Sequence, residues 1–372
     1  MKPIDLRETI PAIESGIYCN WGAGGPSPRR VVEAAESVLE RHEYEAAFEG
    51  GQYRAAFDAY EESRAAIAGL LGASPDEIAL TESTADGINR IASGLEWTAD
   101  DVVVRTDLEH SAGILPWKRL ERERGIDVRV LETDGGRVDL EAVADAAADA
   151  TLFCVSSVTW THGTRLPVAE IVEIAHEAGA LVLVDAVQSP GQTPVDVREW
   201  GADFVVGAGH KWLVGPFGSG FCYVREGRER TLTPAAIGYR SVAEPNADDY
   251  RYEAGARRLE VGSATPAAHA GLVDAIDCFG EMGLETVERR IERLTDRLKA
   301  GVDEDRLISP DRFESGLVTI ATDDPEATVQ RLAEEDIVVR SLPSSAAYPR
   351  AVRVSVHAFN AREEVDAVLE AL

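Results

Sequence analysis

With 372 residues, of which 45% are hydrophobic, the chain can bury a large core, as one big domain plus a smaller one or as two to three modest ones. Its 66 acidic residues against 37 basic ones leave a formal net charge of −29. Such a surface repels nucleic-acid phosphates and anionic membranes and excludes both as partners.

From Glu77 onward, short apolar runs alternate with amphipathic stretches. Strands are expected at Glu77–Thr81, Val102–Thr106, Val128–Leu131, Thr151–Ser156, Leu181–Asp185, Phe204–Val206 and Gly220–Val224. Helices are expected between the early ones, at Ala85–Leu95, Ala112–Arg124, Asp139–Ala148 and Val168–Ala178. Near-continuous Val, Leu, Ile and Phe runs separated by helices predict an α/β fold with a mainly parallel seven-stranded sheet covered on both faces. Only the 207–219 loop joins the last two strands, which leaves room for one of them to run antiparallel. Residues 231–262 are polar and irregular, and helical periodicity resumes from Pro266 to Gly301. The remainder alternates strands (Gly316–Ala321, Ile337–Arg340, Ala351–Val356) with helices from Glu326 and Ala361, as in a small α+β domain. The expected division is a large domain over 19–265 and a small one over 266–372, with residues 1–18 available to pack on the latter.

The acid excess is spread along the chain without an acidic tail, so it describes the surface more than the site. Lysine is confined to Lys2, Lys118, Lys211 and Lys299. A carboxylate-rich surface that prefers Arg to Lys suggests a halophilic, high-salt cytoplasm, where counter-ions screen self-repulsion. Cys19, Cys154, Cys222 and Cys278 are far apart and form neither a disulfide framework nor a zinc site, and no metal is expected. Met1 to Glu14 has no signal- or transit-peptide pattern, and no apolar run approaches the roughly 18 residues that span a bilayer. A cytoplasmic protein is the expectation.

In open α/β sheets, ligands bind at the carboxyl ends of the strands. Ser83 and Thr84 follow the first strand, His110 the second and Ser156 to His162 the fourth. Asp185 and Gln188 end the fifth, and His210-Lys211 follow the sixth. A carboxylate at a strand end can keep a pyridine nitrogen protonated, and a nearby lysine can form a Schiff base. Taken singly, Lys211 would be a solvated lysine and Asp185 a strand-end cap. Together, with lysine so rare, they read as a site.

These residues resemble the class V aminotransferase and cysteine desulfurase family of fold type I pyridoxal-5′-phosphate enzymes. The resemblance is ordered along most of the chain. It runs through Tyr18 to Pro26, Thr81 to Asn89, Glu109-His110 with Pro116-Trp117, Asp185 to Gln188, Gly209-His210-Lys211, Leu259 to Ser263 and Val352 to Ser355. It implies that Lys211 is the Schiff-base lysine and α-proton shuttle, that Asp185 pairs with the pyridinium nitrogen, and that Gln188 binds the ring 3-oxygen. His110 would stack on the cofactor. Ser83, Thr84 and Ala85 at a helix N-terminus would hold the phosphate with His210. In a homodimer with shared active sites, Gly262 and Ser263 would complete the cradle of the other subunit. Arg353 would grip the substrate carboxylate with its bidentate fork. Two departures thin the phosphate contacts: Ala85 stands where the family often has a hydroxyl residue, and Ala208 where it often has serine.

A cysteine desulfurase of this family carries a nucleophilic cysteine just before that arginine. Here the stretch from Val339 to Arg350 contains none, and serine cannot hold a persulfide. The Ser156 to Gly163 and Arg340 to Pro343 segments resemble members that cleave cysteine or cystine without a catalytic cysteine. A carbon–sulfur lyase is therefore ranked first, then an aminotransferase, then an epimerase. Outside enzymes there remains a non-catalytic protein of the same fold. A dinucleotide-binding enzyme would need G-x-G-x-x-G in the first βα turn, and a serine hydrolase G-x-S-x-G, and neither pattern fits. Candidates for the substrate pocket are Trp21, Trp160, His162, Arg240 and Tyr348, while His42, His176 and His269 are read as structural.

Overall fold

The computed structural model describes residues 1–343, 348 and 350–372. The chain opens with a short helix α1 (Pro3–Arg7), strand β1 (Ile17–Tyr18) and two helices, α2 (Arg29–Glu40) and α3 (Gln52–Leu71). These helices went unassigned in the sequence because their small and charged residues dilute the apolar stripe. On α3 that stripe is nonetheless visible as Ala56, Tyr60, Ile67, Ala68 and Leu71, all buried.

Strands β2 (Ile78–Thr81), β3 (Val102–Thr106), β4 (Asp127–Leu131), β5 (Leu152–Ser156), β6 (Leu181–Asp185), β7 (Phe204–Ala208) and β8 (Gly220–Val224) form one seven-stranded sheet. Its order is β2-β8-β7-β6-β5-β3-β4, parallel except for β8, which runs antiparallel to both β2 and β7. The expected fold class therefore holds, and β8 is the strand that reverses. Helices α4 (Thr84–Gly94), α5 (Leu115–Arg124), α6 (Leu140–Ala147), α7 (Val168–Glu177) and α8 (Val197–Trp200) connect the strands. Apolar cores lie on both faces, one holding Phe153, Val155 and Val184, the other Cys154, Leu183 and Phe204. Alternate residues of β5 and β6 thus point into different cores, which is why these strands read as unbroken apolar runs.

Helices α9 (Ala267–Met282) and α10 (Leu284–Ala300) follow. Leu272, Phe279, Val287 and Ile291 still belong to the core of the large sheet, whereas Leu294 and Leu298 belong to a separate cluster with Val318, Val352 and Val354. That second cluster covers an antiparallel sheet of β9 (Leu317–Ala321), β12 (Ala351–Ser355) and β11 (Arg340–Ser341), backed by α11 (Pro325–Glu334) and α12 (Arg362–Ala371). Strand β10 (Ile337–Val338) pairs in parallel with β1. The N-terminal segment is tied to the small sheet just after β1, where the Ser355 N–H of β12 donates to the Cys19 carbonyl at 2.7 Å.

Phe153 is fully buried in the middle of the large sheet. Replacing it by alanine removes its contacts and leaves a cavity that the flanking strands cannot close. Phe153→Ala should lower the unfolding free energy by about 3–5 kcal/mol, read as a lower urea midpoint at unchanged slope. A loss below about 1 kcal/mol would contradict the packing described.

Candidate active site

The carboxyl ends of the parallel strands open into a cavity of ≈ 260 Å³. Its walls include Ser83, Thr84 and Ala85 from the start of α4, His110 after β3, Ser156 ending β5 and Asp185 ending β6. Gln188, His210 and Lys211 close it from the large sheet, and Arg340 and Arg353 from the small one. Trp160 forms one wall, with its ring edge-to-face against His110 at 5.5 Å and against Tyr348 at 5.3 Å.

Lys211 sits in a tight turn after β7. The Val214 N–H returns to the Lys211 carbonyl at 3.1 Å, and Val214 itself has φ +51°. A β-branched residue seldom adopts that conformation, and such a residue persists only where its surroundings hold it. Two glycines let neighbouring backbone close on the turn. A Cβ at Gly25 would lie 2.0 Å from the Lys211 carbonyl oxygen, and one at Gly191 (φ +96°) 2.4 Å from the Trp212 carbonyl. Burial strips water from the Lys211 amine and lowers it to about 8; Asp185 works against this shift, while Arg353 and Arg340 add to it. Asp185 accepts a hydrogen bond from the Val187 N–H at 3.0 Å, and burial raises its carboxyl above the usual range against the pull of that bond and of Lys211.

Gln188 is fixed by both ends of its amide. The Trp212 indole donates to its oxygen at 2.7 Å, and its nitrogen donates to the Gly22 carbonyl at 3.0 Å, leaving one N–H uncommitted. Burial lowers His110 and His210 to about 4, so both are neutral at physiological pH. The His110 ring accepts from the Ala112 N–H at 3.3 Å, and the His210 ring stacks on Phe217.

Several buried polar atoms on this wall have no partner among the described residues: the Thr84 hydroxyl, His210 Nδ1, and Nε and Nη2 of Arg353. Arg353 is 1% exposed and donates only from Nη1, to the Trp160 carbonyl at 2.9 Å. Its guanidinium is pulled down by burial and then by Arg340, its direct cross-strand partner between β12 and β11. Unpaired donors at a helix N-terminus on one side and a buried, unpaired arginine on the other fit a ligand with a phosphate at one end and a carboxylate at the other. These features are what a phosphorylated pyridine cofactor and an amino-acid substrate require.

Gly262 and Ser263 do not line this cavity. They lie along a separate one with Thr81, Glu82, Arg90 and His269. Of the residues expected in the substrate pocket, Trp21 is fully buried and donates to Asn360, and Arg240 pairs with Glu260. His162 bonds Thr161 and lines no part of the cavity. Ser344 and Ser345, in the segment that lacks cysteine, lie outside the described residues. All four cysteines are buried and none lines the cavity. Sequence reasoning marked Arg340 only as the start of a segment resembling the lyases; its place in the site comes from its register opposite Arg353.

The aminotransferase class-V family profile matches residues 17–368. A probable cysteine desulfurase of Methanothermobacter thermautotrophicus is 38% identical over 81% of this chain and 76% of its own length. The apo structure of a cysteine desulfurase from Thermococcus onnurineus NA1 superposes with a TM-score of 0.91 at 30% identity, covering 100% of this chain and 97% of that one. A complex of the cystine C–S lyase C-DES with its product cysteine persulfide superposes with a TM-score of 0.90 at 25% identity, covering 97% and 98%.

Because burial favours the neutral amine, Lys211 should lose its proton at lower pH than a free lysine. In the apoprotein, the rate at which a small amine-selective reagent modifies Lys211 should rise with a midpoint near about 8. Asp185→Asn should move that midpoint further down, since the carboxylate favours the ammonium. Peptide mass analysis reads both, and a midpoint near about 10 would contradict the burial described.

Proposed function

The chain belongs to the aminotransferase class-V family, and on that premise we propose that it is a carbon–sulfur lyase for cysteine- or cystine-like amino acids, working without a persulfide on the enzyme. It is a pyridoxal-5′-phosphate enzyme. The bound cofactor supplies an electron sink for the pair left behind when an α-proton is removed.

The observation that carries the proposal is the absence of a usable thiol. The stretch from Val339 to Arg350 has no cysteine, and Cys19, Cys154, Cys222 and Cys278 are buried away from the cavity. Sulfur transfer to the protein therefore has no acceptor. The C-DES protein, named as a cystine lyase, supports the same reading by its likeness.

Lys211 is assigned the α-proton: an amine near 8 takes up and returns a proton at neutral pH with little bias either way. Asp185 would hold a negative charge against the ring nitrogen, and the neutral His110 ring would pack against the cofactor. Ser83, Thr84 and Ala85 would take the phosphate at the α4 N-terminus, with His210 beside them, and the uncommitted N–H of Gln188 would serve the ring oxygen. Arg353 takes the substrate α-carboxylate on its two unpaired nitrogens, and Trp160 bounds the side chain. After α-proton removal the sulfur substituent leaves the β-carbon with the C–S bonding pair, and water then releases pyruvate and ammonia.

We further assign Gly262 and Ser263 to the phosphate cradle of a second subunit, so that a homodimer shares its sites. The exposure of Ser263, with Gly262 half-buried next to it, beside the partly exposed rings of Tyr239, Tyr53 and Phe57 supports this. We keep the division at residue 266 as a proposal for the order of the chain, although α9 and the start of α10, which follow it, pack through Leu272, Phe279, Val287 and Ile291 on the core of the large sheet. Among the described residues no helix is long and apolar enough to cross a membrane.

Incubation with cystine should yield pyruvate without any 2-oxo-acid acceptor, and turnover only in the presence of an acceptor would sink the lyase reading in favour of transamination. Lys211→Ala should lose both the visible cofactor band and turnover. Arg353→Ala should lower kcat/KM roughly 30- to 5,000-fold, that is by about 2–5 kcal/mol of activation free energy, the penalty for removing one partner of a buried charged pair.

A further inference from the structure

Glu109 is a buried carboxyl that the chemistry above does not use. It is 1% exposed and follows β3, one residue before His110. Three donors converge on it. The Thr106 hydroxyl donates to Oε1 at 2.7 Å and the Ser156 N–H to Oε1 at 3.2 Å, while the Ser156 hydroxyl donates to Oε2 at 2.6 Å. Among the described residues no lysine, arginine or histidine forms an ion pair with it. A buried carboxylate without a cation is costly, and a neutral glutamine of the same shape would fill the space at less expense. What a glutamine could not do is accept at both ends. Its amide nitrogen would have to donate to the Ser156 hydroxyl and reverse that hydrogen bond.

Ser156 is the cavity-lining residue beside Asp185, its direct partner across β5 and β6. We propose that Glu109 is a positioning residue: by taking the Ser156 hydroxyl proton as acceptor, it turns the oxygen lone pairs of Ser156 toward the cavity, beside Asp185. A cavity that receives the Lys211 amine and the amino group of a substrate gains an acceptor there, and with it a negative charge set behind the strand ends. This rests on the reading of Lys211 and Asp185 as the reactive pair.

The surroundings of the carboxyl agree. Burial pushes it up to about 7, opposed by its hydrogen bonds from Ser156 and Thr106, and Asp185 on β6 adds to the rise. Besides burial, the charge of the same carboxyl raises Cys154 on β5 and Tyr348, Asp107 raises Tyr348 too, and Arg105 on β3 lowers both. Above that pH Glu109 is charged and can only accept; below it the carboxyl carries a proton of its own and the direction of the Ser156 bond is released.

The test compares the holoenzymes of wild type, Glu109→Gln, Ser156→Ala and the double variant. At about pH 8.5, kcat should fall about tenfold in either single variant, as for one misdirected hydrogen bond in the site. The double variant should be no slower than the slower single one. The ratio of wild-type to Glu109→Gln kcat should shrink toward one at about pH 5.5, where the wild-type carboxyl is protonated too. The pH midpoint of the visible cofactor band should fall in both single variants, since each takes an acceptor or a negative charge from nearby protonated groups. Losses that multiply to about a hundredfold in the double variant, or a kcat ratio constant with pH, would overturn the proposal and leave Glu109 a packing residue. If Glu109→Gln takes up no cofactor, Ser156→Ala decides alone: an unchanged band midpoint in that variant overturns the proposal. Failure of the underlying reading looks different, because Lys211→Ala would then keep its band.

Discussion

The opposition between burial and attraction at Lys211 and Asp185 organises the rest of the molecule. Water is removed from both groups, which pushes the amine toward its neutral form and the carboxyl toward its protonated one. Each also stabilises the charged state of the other. The balance leaves the amine at about 8, within reach of neutral pH, where it can take up and return a proton. Holding that balance requires a rigid frame, and two adjacent parallel strands of a sheet covered on both faces provide it. The strained turn at Val214 and the clamped amide of Gln188 are parts of the same frame.

The cavity also depends on the small sheet, which supplies Arg340 and Arg353. The segment after β5 binds the two parts together through its backbone carbonyls. Thr319 donates to the Thr161 carbonyl and Ser309 to that of His162, both at 2.6 Å; Ser315 donates to Gly163 at 2.6 Å and Arg353 to Trp160 at 2.9 Å. Four donors from the small sheet and its flanking segment thus grip one loop of the large one. Trp160 and Arg353 are thereby tied together, which fixes the wall against the side chain relative to the group assigned to the carboxylate.

The large sheet was legible because strands buried on both faces carry apolar runs, as Val102–Val104 and Leu181–Val184 do. Helices α2 and α3 were not, since α2 buries only Val31 and α3 spreads its buried apolar residues among alanines and charges. The residues gathered around the cavity could be anticipated from strand ends alone, a rule of topology. Arg340 could not, because it reaches the cavity only through the antiparallel register of β11 on β12. The connection of Glu109 to Ser156 likewise depends on β3 and β5 being neighbours, although they are separated in sequence by β4 and α6. Trp21 and Arg240 show the opposite error. Polar or aromatic residues near a motif were drawn toward the site, whereas an indole was needed in the core and a guanidinium beside Glu260.

The closeness of Gly25 and Gly191 to the Lys211 turn has a consequence for how this protein can vary. Neither glycine offers a functional group, and they lie 186 and 20 positions before the lysine in the chain. Any side chain at either would strike the backbone that presents the amine. A map of tolerated substitutions would therefore mark both positions as forbidden as firmly as Lys211 itself. Their intolerance would be a matter of room. An engineered library that spares them while varying Trp160 and Tyr348 would change the shape of the pocket and leave the amine where it stands.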